Sequence, residues 1–202
     1  MKKNSFVRDA CVLCLITLIS GLLLGGVYGM TKETIYLANN AATIASYKEV
    51  MPAADYDSEQ FAAALTEAME AGGISAENGG AKLSSVVAAK DAGGAEIGYI
   101  LKGKAAGYGG DVVVVVGVKP DLTISGISFP ETLPETAGLG QKATEPAFYE
   151  QFAGKGTKLS VKKGGGAGEN EIDAISGATI TSTAVVNVVN AATEFVESFV
   201  VK

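Results

Sequence analysis

From Ala10 to Met30 the chain carries no charged side chain. The run opens Ala10-Cys11-Val12-Leu13-Cys14-Leu15-Ile16 and continues through Leu22-Leu23-Leu24 to Gly25, Gly26 and Val27. A helix of about 20 such residues matches a bilayer core roughly 30 Å thick. The N-terminus is therefore expected to sit in lipid, and the rest of the chain must build its own core without it. Lys2, Lys3 and Arg8 precede the run, whereas Lys32 and Glu33 are the first charges behind it. The positive-inside rule then keeps Met1 in the cytoplasm and sends everything after Met30 outside. A cleaved signal peptide shares the basic start and apolar middle. An uncleaved anchor is favoured because the run exceeds a signal core of about 7–15 residues and Gly29-Met30-Thr31 is a poor small-x-small cleavage site.

The chain is 48% hydrophobic with a mean hydropathy of +0.27, high for a wholly soluble protein, and part of that excess is this run. Cys11 and Cys14 are the only cysteines and both fall inside it. In a membrane helix two thiols are ordinary apolar filler, and an iron–sulfur cluster needs further ligands than these two. There is no histidine. Histidine-dependent triads and cysteine nucleophiles are thus excluded from residues 31–202, and a transition-metal site would have to be built from carboxylates alone. No resident metal is expected. A formal net charge of −6, a pI of about 4.8 and the lack of a basic, aromatic-interleaved stripe argue against nucleic acid as a partner.

Thr31 to Val50 reads as a stalk helix with a loose stripe of Ile35, Leu37, Ala41, Ala42, Ile44 and Ala45. Pro52 to Asp57 is a break. Asp57 or Ser58 can cap a helix through about Glu70 that buries Phe61, Leu65 and Met69, ended by Gly72-Gly73. Four runs rich in Val, Ile and Tyr follow: Lys82–Ala89, Ala95–Lys102, Gly110–Val118 and Leu122–Phe129. Their short connections predict an antiparallel meander. Val112 to Val116 has no polar residue, so this strand is expected to be covered on both faces by helices. The fold class is α+β: an antiparallel sheet covered by helices, preceded by one transmembrane helix. A short helix from Thr144 or Glu145 through Phe152 has Pro146 in its first turn. Lys162 to Asn170 is a glycine-rich hairpin or loop. A last helix, about Ser182 to Val200, turns Val185, Val186, Val188, Val189, Ala192, Phe195, Val196 and Phe199 inward.

Two segments carry chemistry. Asp173-Ala174-Ile175-Ser176-Gly177-Ala178-Thr179 puts an alcohol on a small-residue turn directly before the last helix. The Gly-Ala pair leaves Thr179 open to another enzyme, and a helix N-terminus favours a negative group attached there. On the residues alone, an ordinary turn with Thr181 or Ser182 as N-cap stays open as the alternative. The second segment is Glu135-Thr136-Ala137-Gly138-Leu139-Gly140-Gln141-Lys142. By itself it reads equally as a glycine-containing turn between a strand and a helix.

Together, in this order and about forty residues apart, the two segments resemble the G subunit of the Rnf complex, the membrane-bound ferredoxin:NAD oxidoreductase, and the related C subunit of the sodium-translocating NADH:quinone reductase. Ala137 stands where the family's Glu-Thr-Pro-Gly-Leu-Gly signature has proline, which removes a φ restraint but no polar group. The resemblance implies an FMN joined through its phosphate to Thr179, with Ser176, Gly177 and Ala178 shaping the acceptor turn. It implies that Asp173 belongs to the recognition pattern of a magnesium-dependent flavin transferase, which moves the FMN half of FAD onto the threonine and releases AMP. Glu135, Thr136, Gly138, Leu139 and Gly140 become candidates to lie against the flavin. The implied division is a cytoplasmic N-terminus (1–9), a transmembrane helix (10–30), a stalk helix (31–52) and an extracytoplasmic FMN-binding domain (53–202).

The implied role is an electron relay working with the other Rnf subunits, A, B, C, D and E, in a complex that couples electron transfer to sodium or proton movement. Such a subunit has no turnover of its own. Two further readings from other classes are a stand-alone anchored flavoprotein and a non-redox binding module with a purely structural Ser-Gly-Ala-Thr turn. The length and the Lys142 to Phe152 continuation favour the Rnf subunit over its longer quinone-reductase relative.

Overall fold

The computed structural model describes residues 3–201, with side chains described for residues 8–27 and 41–201. The chain divides into two compact units, residues 1–41 and 42–202. The first belongs to helix α1 (Lys3–Val50). Its stretch Arg8–Val27 is long and apolar enough to cross a membrane, and none of it is buried within the protein. Leu22, Leu23 and Leu24 are 69%, 67% and 78% exposed, a state that lipid stabilises and water does not. The Thr17 hydroxyl donates back to the carbonyls of Leu13 and Cys14, at 3.1 and 3.0 Å, so it offers no unsatisfied donor to an apolar medium. Cys11 and Cys14 are exposed free thiols on this helix. The side chains of Lys2, Lys3, Lys32, Glu33, Ile35 and Leu37, on which the expected orientation and stalk stripe rest, lie outside those described.

The second unit is built on five strands in the order β1 (Asp55–Asp57), β2 (Lys82–Lys90), β3 (Glu96–Ala106), β4 (Asp111–Val118) and β5 (Ile124–Ser128), each antiparallel to its neighbour. The expected four-strand meander is present. β1 is an addition, falling where a break was expected. Three residues with aspartate at both ends carry no strand signal, and the pairing of Asp55 with Lys90 and the 2.8 Å contact between Lys90 Nζ and Asp57 come from tertiary neighbours.

The apolar run on β4 has the cause expected of it. Val112, Val114 and Val116 join the main core beneath α5 (Thr179–Phe195). Val115 faces the other way, with Val87, Ala89 and Ile100, under Tyr47, Val50 and Met51. The last turns of α1 thus form the sheet's second cover, and here Ser46, Tyr47 and Val50 point inward while Ala41, Ile44 and Ala45 are exposed. The stripe expected from the sequence is displaced because the sheet, not the helix alone, selects the buried face. Gly103 lets α5 sit close: a Cβ there would stand 3.0 Å from Val188 Cγ1 and 3.0 Å from Leu83 Cδ2.

Around this frame α2 (Ala62–Ala71) ends at Gly72, in the left-handed region with φ 72°, and α3 (Gly73–Glu77) follows. Phe61 packs edge-on to Tyr99 at 5.6 Å. Burial, together with the 2.9 Å bond its hydroxyl donates to Glu96, pushes the Tyr99 phenol up to about 12. The single-turn α4 (Pro146–Tyr149), flanked by 3-10 turns, buries Phe148 against Phe152.

The glycine-rich segment differs from a hairpin. β6 (Ser160–Lys162) and β7 (Glu171–Asp173) pair in parallel, and residues 163–170 loop between them. Gly164, Gly165 and Gly166 all have positive φ, and the loop is tied by Lys162 Nζ donating to the Gly166 carbonyl at 2.8 Å and by Glu171. The Gly168 N–H, aided by Lys162, holds the Glu171 carboxyl below its ordinary range. At the far end of α5 a π turn, Val196–Val200, rotates Phe199 out of the inward stripe. Phe199 is 36% exposed and stacks on Phe195 instead.

Candidate functional site

Helix α5 begins at Thr179, three residues earlier than expected, and its N-cap is Ala178. Neither Thr181 nor Ser182 is the cap. Alanine supplies no side-chain acceptor, so the N–H groups of the first turn keep no partner within the helix or from a cap. Gly177, at φ 76°, reverses the chain immediately before this point and leaves Ser176 and Gly177 exposed at the tip. Thr179 therefore sits at the first helical position, where the helix dipole is felt most.

A cleft of about 500 Å³ opens in front of that turn. Gly177, Ala178, Thr179, Ile180 and Thr181 form one wall, and Glu135, Thr136, Leu139 and Gly140 form another. The structure thus brings together the two segments singled out in the sequence. The second is a tight turn, with the N–H groups of Leu139 and Gln141 donating to the Thr136 carbonyl at 3.1 and 3.3 Å. Gly138 supplies its left-handed residue, with φ 75°, and lies just outside the cleft lining. Ala137 in place of proline leaves this turn intact.

At the cleft floor Glu135 is buried, and its Oε1 accepts the Tyr108 N–H at 2.8 Å. Gly140 keeps the floor open. A Cβ there would lie 2.6 Å from Glu135 Oε2 and 2.8 Å from Thr181 Oγ1. Thr181 is 1% exposed, and its hydroxyl is a buried side-chain polar atom without a hydrogen-bond partner among the described residues. An orphaned hydroxyl of this kind costs about 1–3 kcal/mol, so a ligand that accepts its hydrogen bond recovers that energy. Around the mouth Tyr108, Ile180 and Leu139 are 74%, 54% and 42% exposed. They make an apolar collar above a floor of one carboxylate, Glu135, and one hydroxyl, Thr181.

Tyr108, Ile180 and Thr181 were not read from the sequence as site residues. Tyr108 lies in the β3–β4 turn, where only proximity in space connects it to Glu135. Ser176 and Asp173 line a separate cleft of about 240 Å³, with Lys142 and Gln151. Asp173 Oδ1 accepts the Ala167 N–H at 2.8 Å, so this carboxylate is turned toward the glycine loop.

These residues fit a flavin mononucleotide. The first-turn amides of α5 and the Thr181 hydroxyl suit a phosphoryl group, and the collar suits a flat, largely apolar ring system. The size lies within the range of small-molecule pockets, about 300–1,000 Å³.

Residues 107–194 match the FMN-binding domain family, which encloses the whole cleft. The G subunit of the Na(+)-translocating ferredoxin:NAD(+) oxidoreductase complex of Acetobacterium woodii is 36% identical, over 92% of this chain and 84% of its own length. The G subunit of the ion-translocating oxidoreductase complex of Methanosarcina acetivorans is 28% identical over 91% of this chain and 90% of its own. The C subunit of the Na(+)-translocating NADH-quinone reductase of Haemophilus ducreyi is 40% identical, but over 36% of this chain. Among solved structures, NqrC of Shewanella oneidensis superposes with a TM-score of 0.51 at 26% identity, covering 57% of this chain and 58% of that one. With 36% identity over 92% of the chain and 84% of that relative, this chain belongs to the G-subunit family of ion-translocating oxidoreductase complexes.

Proposed function

We propose that this chain is the FMN-carrying relay subunit of an ion-translocating ferredoxin:NAD oxidoreductase, with FMN bonded through its phosphate to Thr179. The observation that carries this reading is the convergence on one cleft of Thr179, of Glu135, Thr136, Leu139 and Gly140, and of a Thr181 hydroxyl with no partner among the described residues. FMN, when bound, supplies transfer of one or two electrons. The chain's own residues do the rest. Thr179 Oγ would provide the anchor, the α5 amides and Thr181 would hold the phosphoryl group, Gly138 and Gly140 would shape the loop that approaches it, and Tyr108, Leu139 and Ile180 would shield part of the ring from water.

Attachment is assigned to a flavin transferase, as the family resemblance implies; the chain has no histidine to take the threonine proton. Thr179 Oγ attacks the flavin-side phosphorus of FAD, the bond from that phosphorus to AMP breaks, AMP leaves, and the hydroxyl proton passes to a base on the flavin transferase. No electron is gained or lost. The resulting diester carries one negative charge, which the α5 N-terminus stabilises by roughly 0.3–1 kcal/mol where it is exposed. Asp173 belongs to the segment the transferase acts on.

Residues 10–30 anchor the chain, with residues 1–9 in the cytoplasm and the flavin domain outside it, where a dissociated flavin would be lost and a bonded one is not. The G-subunit reading is preferred over the quinone-reductase C subunit because its match covers 92% of the chain against 36%. The partners are the other subunits of the complex, A, B, C, D and E; the coupling ion is sodium or proton.

Coexpression with a flavin transferase, followed by intact-mass measurement and peptide mapping, tests the attachment. One FMN on the Thr179 peptide is expected, and Thr179→Ala should lose in-gel flavin fluorescence while folding normally. Flavin on Thr181, or none, overturns the assignment. In the assembled complex Thr179→Ala should block ferredoxin-driven NAD reduction; reduction at the normal rate overturns the relay role. A reporter fused after Lys202 should read as extracytoplasmic.

A further inference from the structure

Ser182 lies in the first turns of α5 with no exposed surface, and its hydroxyl does two things at once. It accepts the Ile175 N–H at 3.0 Å and donates to the Ala178 carbonyl at 3.0 Å. Those two partners are the feet of the Ser176-Gly177 tip. The Ala178 N–H closes the same turn onto the Ile175 carbonyl at 2.9 Å. The segment just upstream is held in the same manner. Gln151 Oε1 accepts the Asp173 N–H at 2.7 Å, and its Nε2 donates to the Asp173 carbonyl at 3.4 Å, so one side-chain amide imitates a neighbouring strand. The Asp173 carboxylate meanwhile ties Ala167 of the glycine loop.

We propose that Ser182 is the positioning residue for modification of Thr179: its hydroxyl clamps the tip so that Thr179 Oγ is presented on a preformed turn, and the transferase meets a folded surface, not an extended peptide. This rests on the covalent reading above and specifies how the acceptor is offered. Ser182 takes no part in bond making. The oxygen–phosphorus bond forms at Thr179, AMP departs, and the proton goes to the transferase. Asp173 and Gln151 act through backbone, by holding the strand that feeds the tip.

The test uses the full chain in detergent with purified flavin transferase, FAD and magnesium, comparing wild type, Ser182→Ala and Ser182→Thr. Hydrogen exchange should show a slow Ile175 amide in the wild type. In Ser182→Ala that amide should exchange about tenfold faster or more while the middle of α5 keeps its protection. A turn without its clamp is competent for only a fraction of the time, and apparent affinity falls by that fraction, so loss of the clamp should lower the transferase's kcat/KM for this chain by about tenfold or more, mainly through KM. Ser182→Thr, which keeps the hydroxyl, should recover most of the rate. Ser182→Ala modified at the wild-type rate overturns the proposal. So does a peptide spanning residues 170–185 modified as fast as the folded chain, a result that needs no variant to fold. Wild-type protein that takes no flavin on Thr179 brings down the covalent reading itself, and the proposal with it.

Discussion

A groove over the sheet and the cleft at the α5 N-terminus make an instructive pair. The groove is the larger, about 650 Å³, and is lined by Lys102, Lys104, Asp111 and Glu131 among others. Its charges are already satisfied: Lys104 reaches Asp111 at 2.6 Å and Lys102 reaches Glu131 at 3.2 Å. The smaller cleft, about 500 Å³, carries a buried hydroxyl with no partner among the described residues, a helix start with no capping side chain and an apolar collar. Volume alone would select the groove. Unfinished hydrogen bonding selects the cleft, because a folded chain leaves a buried polar group unmatched at a cost, which a bound ligand or an ordered water offsets.

Gly140 is the position where a substitution should disturb the cleft most. Gly140→Val places atoms on Glu135 Oε2 and Thr181 Oγ1, and overpacking of this kind costs about 1–3 kcal/mol. Flavin loading under matched expression should fall severely, and the melting temperature should drop by several degrees; full loading would show that the cleft is not where the flavin rests.

Thr181→Val separates the two demands on the cleft. Removing an unsatisfied hydroxyl while keeping the shape should raise the stability of flavin-free protein by up to about 1 kcal/mol. The same variant should hold the attached flavin less tightly, read as a loss of fluorescence anisotropy and faster quenching by iodide. A variant that is both less stable and unaffected in flavin mobility would mean that Thr181 has a partner in solution.

In the groove, Lys104→Met should leave flavin loading unchanged and shift the melting temperature only slightly, since exposed pairs contribute little. The direction with pH is fixed. The Asp111 carboxylate, by its hydrogen bond first, holds the Lys104 pKa above the ordinary 10.5. A raised lysine contributes its stability in full below 10.5 and loses it as pH rises through the folded value. The small difference between wild type and Lys104→Met should therefore persist from neutral pH to about 10.5 and vanish above the folded value. A difference that instead grows with alkalinity would show that the groove, too, holds an uncompensated group.

Much of this protein is legible in one dimension. The uncharged run from Ala10 to Met30 needs no neighbour to declare itself, because a lipid-compatible helix is defined by length and polarity alone. The meander was legible from four β-rich runs with short connections, and the double cover on β4 from its unbroken valines. The segments Asp173 to Thr179 and Glu135 to Lys142 were legible only as a pair, through their family resemblance, since each alone reads equally as an ordinary glycine-containing turn. Strand β1 was not, since three residues between aspartates pair only because β2 has an open edge. Nor was the inward face of α1 at Ser46, Tyr47 and Val50, which the sheet chose. Thr181 looked like a candidate cap and is instead a buried hydroxyl facing Gly140, while Tyr108, 27 residues upstream of Glu135, enters the site through one backbone N–H. Local propensity set what each segment could become. Which groups would be left unpaired, and facing what, was decided only when segments about forty residues apart closed on each other, because satisfaction of a hydrogen bond is a property of two partners in space and not of either one in sequence.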